Sequence, residues 1–197
     1  MATGCGGGSQ KQDAKEPSGT FPVKVVSASF PTSQRLAKDS TMEIVVQNAG
    51  QKPIPTISVT VKCGPGLGGS FNTTTADTNA ADPQRPQFVV NKIPTATGRV
   101  NPPLDPAPLE RSSAFVDTYP LGKLEAGRSA TFRWDVSAVK AGKYRLCWRV
   151  NAGLYGKAKA IAASGSAPIS GEFKGVISRK APKATVGDDG TTVIEQP

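Results

Sequence analysis

The sequence predicts an all-β protein, a β-sandwich of about seven to ten strands with a long Pro/Gly-rich insertion. Three observations predict it. First, residues 121–151 read as two strictly alternating strands. Ala130, Phe132, Trp134 and Val136 fall on one face of the first strand, with Thr131, Arg133 and Asp135 on the other. Tyr144, Leu146, Trp148 and Val150 oppose Arg145, Cys147 and Arg149 in the second. Each apolar face needs another sheet to cover it. Second, 21 Gly and 17 Pro in 197 residues punctuate many short segments. Third, no segment sustains the three- and four-residue apolar spacing of a helix, and no apolar run approaches the ~20 residues that span a bilayer.

The elements follow in order. Thr20–Phe30 is the first expected strand, closed by Pro31. Thr41–Gln47 is the second, with Met42, Ile44 and Val46 inward and Asn48-Ala49-Gly50 as its turn. Ile54–Cys63 is the third. The rhythm then breaks, because residues 64–112 hold 8 of the 17 prolines and the run Gly64-Pro65-Gly66-Leu67-Gly68-Gly69. Within them only Phe88-Val89-Val90 reads as a strand. A loop of such length is functional or disordered. Strands resume at Ser113–Tyr119 and continue through the alternating pair to Leu154–Ala163, Gly171–Arg179 and a terminal hairpin over Ala184–Glu195. The expected organisation is a flexible tether over residues 1–19 and one sandwich over 20–197.

The chain has no histidine. That removes the commonest general base and transition-metal ligand, and with them the Ser–His and Cys–His nucleophile systems. The carboxylates are scattered through turns and outward strand faces, and no spacing pairs them for acid–base work. The expectation is a protein that is not an enzyme, with no catalytic residues, metal ligands or cofactor.

The net charge is +9, and it is unevenly placed: residues 120–183 hold 13 Lys or Arg against Glu125, Asp135 and Glu172. Such a field attracts nucleic acid, anionic lipid or acidic polymer without choosing between them. Arg145 and Arg149 project from the outer face of one strand, and Arg133 from a strand expected in the opposite sheet. Lys157, Lys159, Lys174, Arg179, Lys180 and Lys183 join Arg145 and Arg149 if the last strands flank that sheet. The plainer alternative is a solvated basic face without a specific partner.

Ala2-Thr3-Gly4-Cys5, followed by Gly6-Gly7-Gly8-Ser9, resembles the end of a bacterial lipoprotein signal peptide. The basic and apolar segments that precede the cysteine in that pattern do not stand before it here. The resemblance implies a diacylglycerol on Cys5, with the polar stretch to Ser18 holding a folded domain off a membrane. If Cys5 is acylated, Cys63 and Cys147 remain, an even number that suggests a disulfide in an exported protein. It would close a loop of about 85 residues, worth about 4–5 kcal/mol in chain entropy. Cys63 continues the inward series Ile57, Val59, Val61, whereas Cys147 lies outward. A bridge therefore requires a bulge at the end of the strand; otherwise both are free thiols.

Residues 41–50, TMEIVVQNAG, together with Leu124, Ala126-Gly127-Arg128-Ser129, Phe132, Ala141-Gly142-Lys143-Tyr144-Arg145-Leu146 and Val150, resemble the CARDB type of immunoglobulin-like domain, the cell-adhesion-related module of bacterial and archaeal surface proteins. The resemblance implies an immunoglobulin-like sandwich with a structural or adhesive role outside the cytoplasm, and no reaction. In such sandwiches a Gly-x-Tyr tyrosine braces a corner through its hydroxyl.

The expected function is an extracytoplasmic, lipid-anchored binding or structural module of the bacterial envelope. Its partners would be anionic envelope polymer, lipid headgroups or another surface protein. A basic nucleic-acid-binding protein is the second expectation, although no basic helix, stacking motif or zinc module supports it. A carbohydrate-binding module is the third. Trp134 and Trp148 belong to the core by their alternation, which leaves Tyr119 and Tyr155 as the sugar-contact candidates.

Overall fold

A computed structural model describes residues 16–63, 86–95 and 117–180, and the backbone of 183–186 and 193–196. Period-two burial, read along the chain, separates each strand into a core face and a solvent face. In β3 (Asp39–Asn48), Met42, Ile44, Val46 and Asn48 are buried and the residues between them are not. β7 (Ser129–Ala138) buries Phe132, Trp134, Val136 and Ala138, and β8 (Gly142–Asn151) buries Tyr144, Leu146, Trp148 and Val150. The remaining sandwich strands are β1 (Gly19–Ser29), β2 (Ser33–Arg35), β4 (Ile54–Val61), β5 (Phe88–Lys92), β6 (Thr118–Leu124), β9 (Ala158–Ala162) and β10 (Ser170–Ser178). β11 (Lys183–Val186) and β12 (Val193–Gln196) pair with each other and, among the described residues, with no other strand.

The ten strands form two five-stranded sheets, β5-β7-β3-β1-β9 and β2-β10-β8-β4-β6. No helix occurs among the described residues. β7 and β8 are consecutive in the chain yet lie in different sheets, so their connection crosses the sandwich. Both sheets carry one parallel pairing, β1 with β9 and β10 with β2. Between the sheets Trp134 and Phe132 stack with centroids 6.1 Å apart, and Phe30, Phe88 and Tyr144 meet edge to face at one end.

Two details fix the corners. The buried Asn48 side chain donates to the carbonyls of Lys52 at 2.9 Å and Leu124 at 3.0 Å, and accepts from Gly50 N–H at 3.0 Å. One amide thereby closes the turn after β3 and ties it to β6. At the other end Tyr144 donates its hydroxyl to the Pro31 carbonyl, which also accepts from Gln34 Nε2 at 3.1 Å. Both aromatic residues of β8 that face β10 stand opposite glycines, Tyr144 against Gly175 and Trp148 against Gly171. A β-carbon at either glycine would press within 2.6 Å of the facing ring.

Several boundaries differ from the sequence reading. The strand expected at Ser113–Tyr119 begins at Thr118 and runs on to Leu124 through an exposed Pro120. Proline is tolerated there because β6 is an edge strand, and its register against β4 shifts at Ile57. Tyr119 is correspondingly a core residue, 6% exposed and packed edge-to-face on Trp134 at 5.3 Å, which removes it as a sugar contact. β9 starts at Ala158, and the residues before it form an irregular loop rather than the expected strand. β2, three polar residues long, has no counterpart among the expected strands. Glu16 accepts a hydrogen bond from Leu154 N–H and β1 begins at Gly19, both inside the stretch read as a tether, whose residues 1–15 lie outside the described ones. Cys5, most of the 64–112 insertion and the Gly187-Asp188-Asp189-Gly190 turn lie outside the described residues.

Candidate functional site

The outer face of the sheet built on β8 carries the residues that the sequence singles out. Lys143, Arg145, Cys147 and Arg149 alternate with the buried residues of β8 and so share that face. Antiparallel pairing with β10 sets Lys174 opposite Arg145, Glu172 opposite Cys147 and Ser170 opposite Arg149. On the other side, Thr60 of β4 stands opposite Arg149.

Glu172 is the carboxylate at the middle of this surface. Arg145 donates from Nε to its Oε2 at 2.6 Å, and the Lys174 ammonium contacts its other oxygen. These bonds, first from Lys174 and then from Arg145, hold the Glu172 carboxyl below the usual carboxylate range. Arg149, Lys143, Arg179 and Lys180 are exposed, the last two just beyond the end of β10. Beside Arg149 a polar row crosses three strands: Asn151 Nδ2 donates to Thr60 Oγ1 at 2.9 Å, and the hydroxyls of Thr60 and Thr118 are bonded at 2.9 Å.

The Cys63 and Cys147 sulfurs are bonded, with α-carbons 4.8 Å apart. The facing conflict in the sequence is resolved by the ladder itself. The last β4–β8 pair is Val61 with Trp148, so Cys63 lies two residues beyond it and is freed from strand alternation. It turns to the outward Cys147 while its own side chain remains buried. Next to it, Lys62 reaches the Asp117 carboxylate at 3.9 Å. Asp117 is 7% exposed, and burial pushes its carboxyl above the ordinary value of 3.8 against the pull of Lys62.

Not every basic residue joins this surface. Lys159 lies in β9, which hydrogen-bonds to β1 in the other sheet, and Lys157 lies in the loop before it. Their expected place beside Arg145 and Arg149 is corrected: a parallel partner on β1 drew β9 away from β8. Lys183 opens β11, in the separate two-stranded sheet, and its side chain lies outside what the structure describes. Arg133 belongs to β7 of the opposite sheet, 3.6 Å from Asp135. Tyr155 stays accessible, 40% exposed, in the β8–β9 loop.

The sequence reading missed Glu16. Its carboxylate accepts backbone N–H groups of Leu154 at 2.6 Å and Tyr155 at 3.1 Å on one oxygen, and of Lys157 at 2.9 Å on the other. A glutamate 138 residues before its partners leaves no local signal beyond the nearby glycines Gly153 and Gly156. Among the described residues no group of three His, Cys, Asp or Glu side chains is placed to hold a metal.

No protein-family model matches the chain, and no curated protein matches it in sequence. Among solved structures it is similar to the CARDB domain of the PF1109 protein from Pyrococcus furiosus, described in complex with di-metal ions. The TM-score is 0.44 at 10% identity, covering 86% of this chain and 98% of that one. It is also similar to native α2-macroglobulin from Escherichia coli, with a TM-score of 0.41 at 12% identity over 81% of this chain and 17% of that one. A PapD-like domain of human CEP192 gives a TM-score of 0.41 at 13% identity over 87% and 94%. The fold of this chain is an all-β sandwich of two five-stranded sheets.

Proposed function

We propose that this chain is a binding module of the bacterial envelope, held at a membrane through an acylated Cys5, whose β8–β10 outer face meets anionic partners. Wall polymers and lipid headgroups are the chemistry that fits. The observation that carries the reading is the placement of Lys143, Arg145, Arg149 and Lys174 on one face, with Glu172 the carboxylate among them. Exposed cations of this kind act through many weak contacts, each screened over about 8 Å at physiological salt. A disulfide at the centre of that face fits an oxidising compartment and weighs against the nucleic-acid reading.

The test is flotation of the purified chain with vesicles of phosphatidylcholine alone or with phosphatidylglycerol added. The reading requires binding to the anionic vesicles at low salt, release at high salt, and loss of binding in Arg145→Glu/Arg149→Glu. Equal binding to both vesicles, binding that ignores salt, or failure to bind the anionic ones would sink the charge-based reading. The anchor has its own test, the intact mass of the chain recovered from its native membrane, where an acylated species beginning at Cys5 is required.

A further inference from the structure

We propose that the β8–β9 loop is a carboxylate-binding site, that Glu16 is its resident ligand, and that a carboxylate from outside the chain takes the same place when Glu16 leaves. Three backbone N–H groups, from Leu154, Tyr155 and Lys157, converge on one carboxylate and engage both of its oxygens. Successive N–H groups aimed into one concavity form an anion nest, and hydrogen bonds to an ionised acceptor are the strong ones.

The loop is shaped for this occupant. A β-carbon on Gly153 would stand 1.9 Å from Glu16 Oε1, so only glycine lets the carboxylate approach the backbone. Gly156 has φ +86°, a left-handed turn that brings the Lys157 N–H round to the second oxygen. Neither requirement concerns the β-ladders: both glycines lie between the end of β8 and the start of β9.

The nest is held by the sandwich and not by Glu16. At one end the Ala152 carbonyl accepts from Thr56 N–H at 3.2 Å and the Gly153 carbonyl lies 3.5 Å from the Ser58 hydroxyl, both in β4. At the other end the Lys157 carbonyl accepts from Gly19 N–H at 3.1 Å, and Ala158 is buried. A site anchored on both flanks to strands keeps its donors converged when the ligand departs, and a preorganised site binds a replacement with little ordering cost. Glu16 is half-buried at the margin of the fold, just before β1, so its departure disturbs no strand. The residue is therefore a latch that an acidic side chain or chain terminus of a partner can displace.

The experiment is an acetate titration of the full-length chain, followed by amide 1H–15N shifts and hydrogen exchange. In Glu16→Ala, the amides of Leu154, Tyr155 and Lys157 should move upfield and exchange at least ~10-fold faster. Added acetate should restore them saturably, whereas chloride at the same ionic strength should not. The wild-type amides should stay put over the same acetate range. Gly153→Ala should weaken the response to both Glu16 and acetate. If the three amides ignore Glu16→Ala, Glu16 is not the resident ligand; if the emptied site ignores acetate, it is not a carboxylate site. Either result overturns the proposal.

Discussion

Gly175 stands directly opposite Tyr144 in the β8–β10 ladder, and a β-carbon there would lie 2.6 Å from the tyrosine hydroxyl and 2.2 Å from the Thr32 carbonyl. The missing side chain is what allows the ring to lie across β10 and reach Pro31. Gly175→Ala should therefore destabilise the fold by about 1–3 kcal/mol through overpacking. Tyr144→Phe should cost only about 1 kcal/mol, because Gln34 still satisfies the Pro31 carbonyl. Urea unfolding of the two variants checks the order, and an equal or reversed cost would place the strain elsewhere.

Asn48 makes its three bonds at a position 1% exposed. Asn48→Ala leaves two carbonyls and one N–H without that partner, and should cost about 2–3 kcal/mol. Thermal or urea denaturation measures it. A loss below half a kcal/mol (~0.5) would mean that water replaces the amide at this corner.

The Cys63–Cys147 bond joins residues 84 apart in the chain. Replacing both cysteines by alanine should lower unfolding free energy by about 2–5 kcal/mol, most of it through the unfolded chain. Reductant should produce the same loss in the wild type and none in the variant.

Asp117 and Glu172 should give stability slopes of opposite sign with pH. Burial raises the Asp117 carboxyl above its ordinary 3.8, so the native state holds its proton longer than the unfolded chain does. Wild type should then lose ground to Asp117→Asn as pH rises from 3.8 through the raised value. Glu172 is shifted down by Lys174 and Arg145, so its contribution is present above the ordinary 4.5 and fades as pH falls through the lowered value. Wild type minus Glu172→Gln, measured by urea unfolding between acid and neutral pH, should show that fade.

Arg133 provides the internal control for the charged face. It lies on the opposite sheet, so Arg133→Glu should leave anionic-vesicle binding unchanged while changing net charge as much as Arg145→Glu does. Equal losses from the two reversals would mean that total charge, and not the β8–β10 face, drives association.

The parts of the fold that were legible in the sequence are those governed by period two. Met42 to Val46, Phe132 to Val136 and Tyr144 to Val150 declare their buried face residue by residue. What escaped depends on partners distant in the chain. β2 exists as a strand because Ser33–Arg35 lie parallel to Val176–Ser178, and three polar residues carry no pattern of their own. Pro120 and Gly122 broke the apparent rhythm of β6, although an edge strand accepts them. The sheet to which β9 belongs, and with it the place of Lys159, is decided by pairing to β1 and not by any feature of Ala158–Ala162. Glycines 171 and 175 read as weak strand residues until the rings facing them are known.

The parallel pairing of β1 with β9 has a mechanical consequence. Gly19 is matched with Ala158 and Val23 with Ala162, so the chain enters β1 at one end of the ladder and leaves β9 at the other. A pull on the N-terminal side, resisted by the chain beyond β9, runs along both strands in opposite directions. The ladder then bears that load in shear, with its bonds stretched together instead of opening one after another. Such a clamp resists a pull on the N-terminal end of β1 better than a ladder that opens pair by pair.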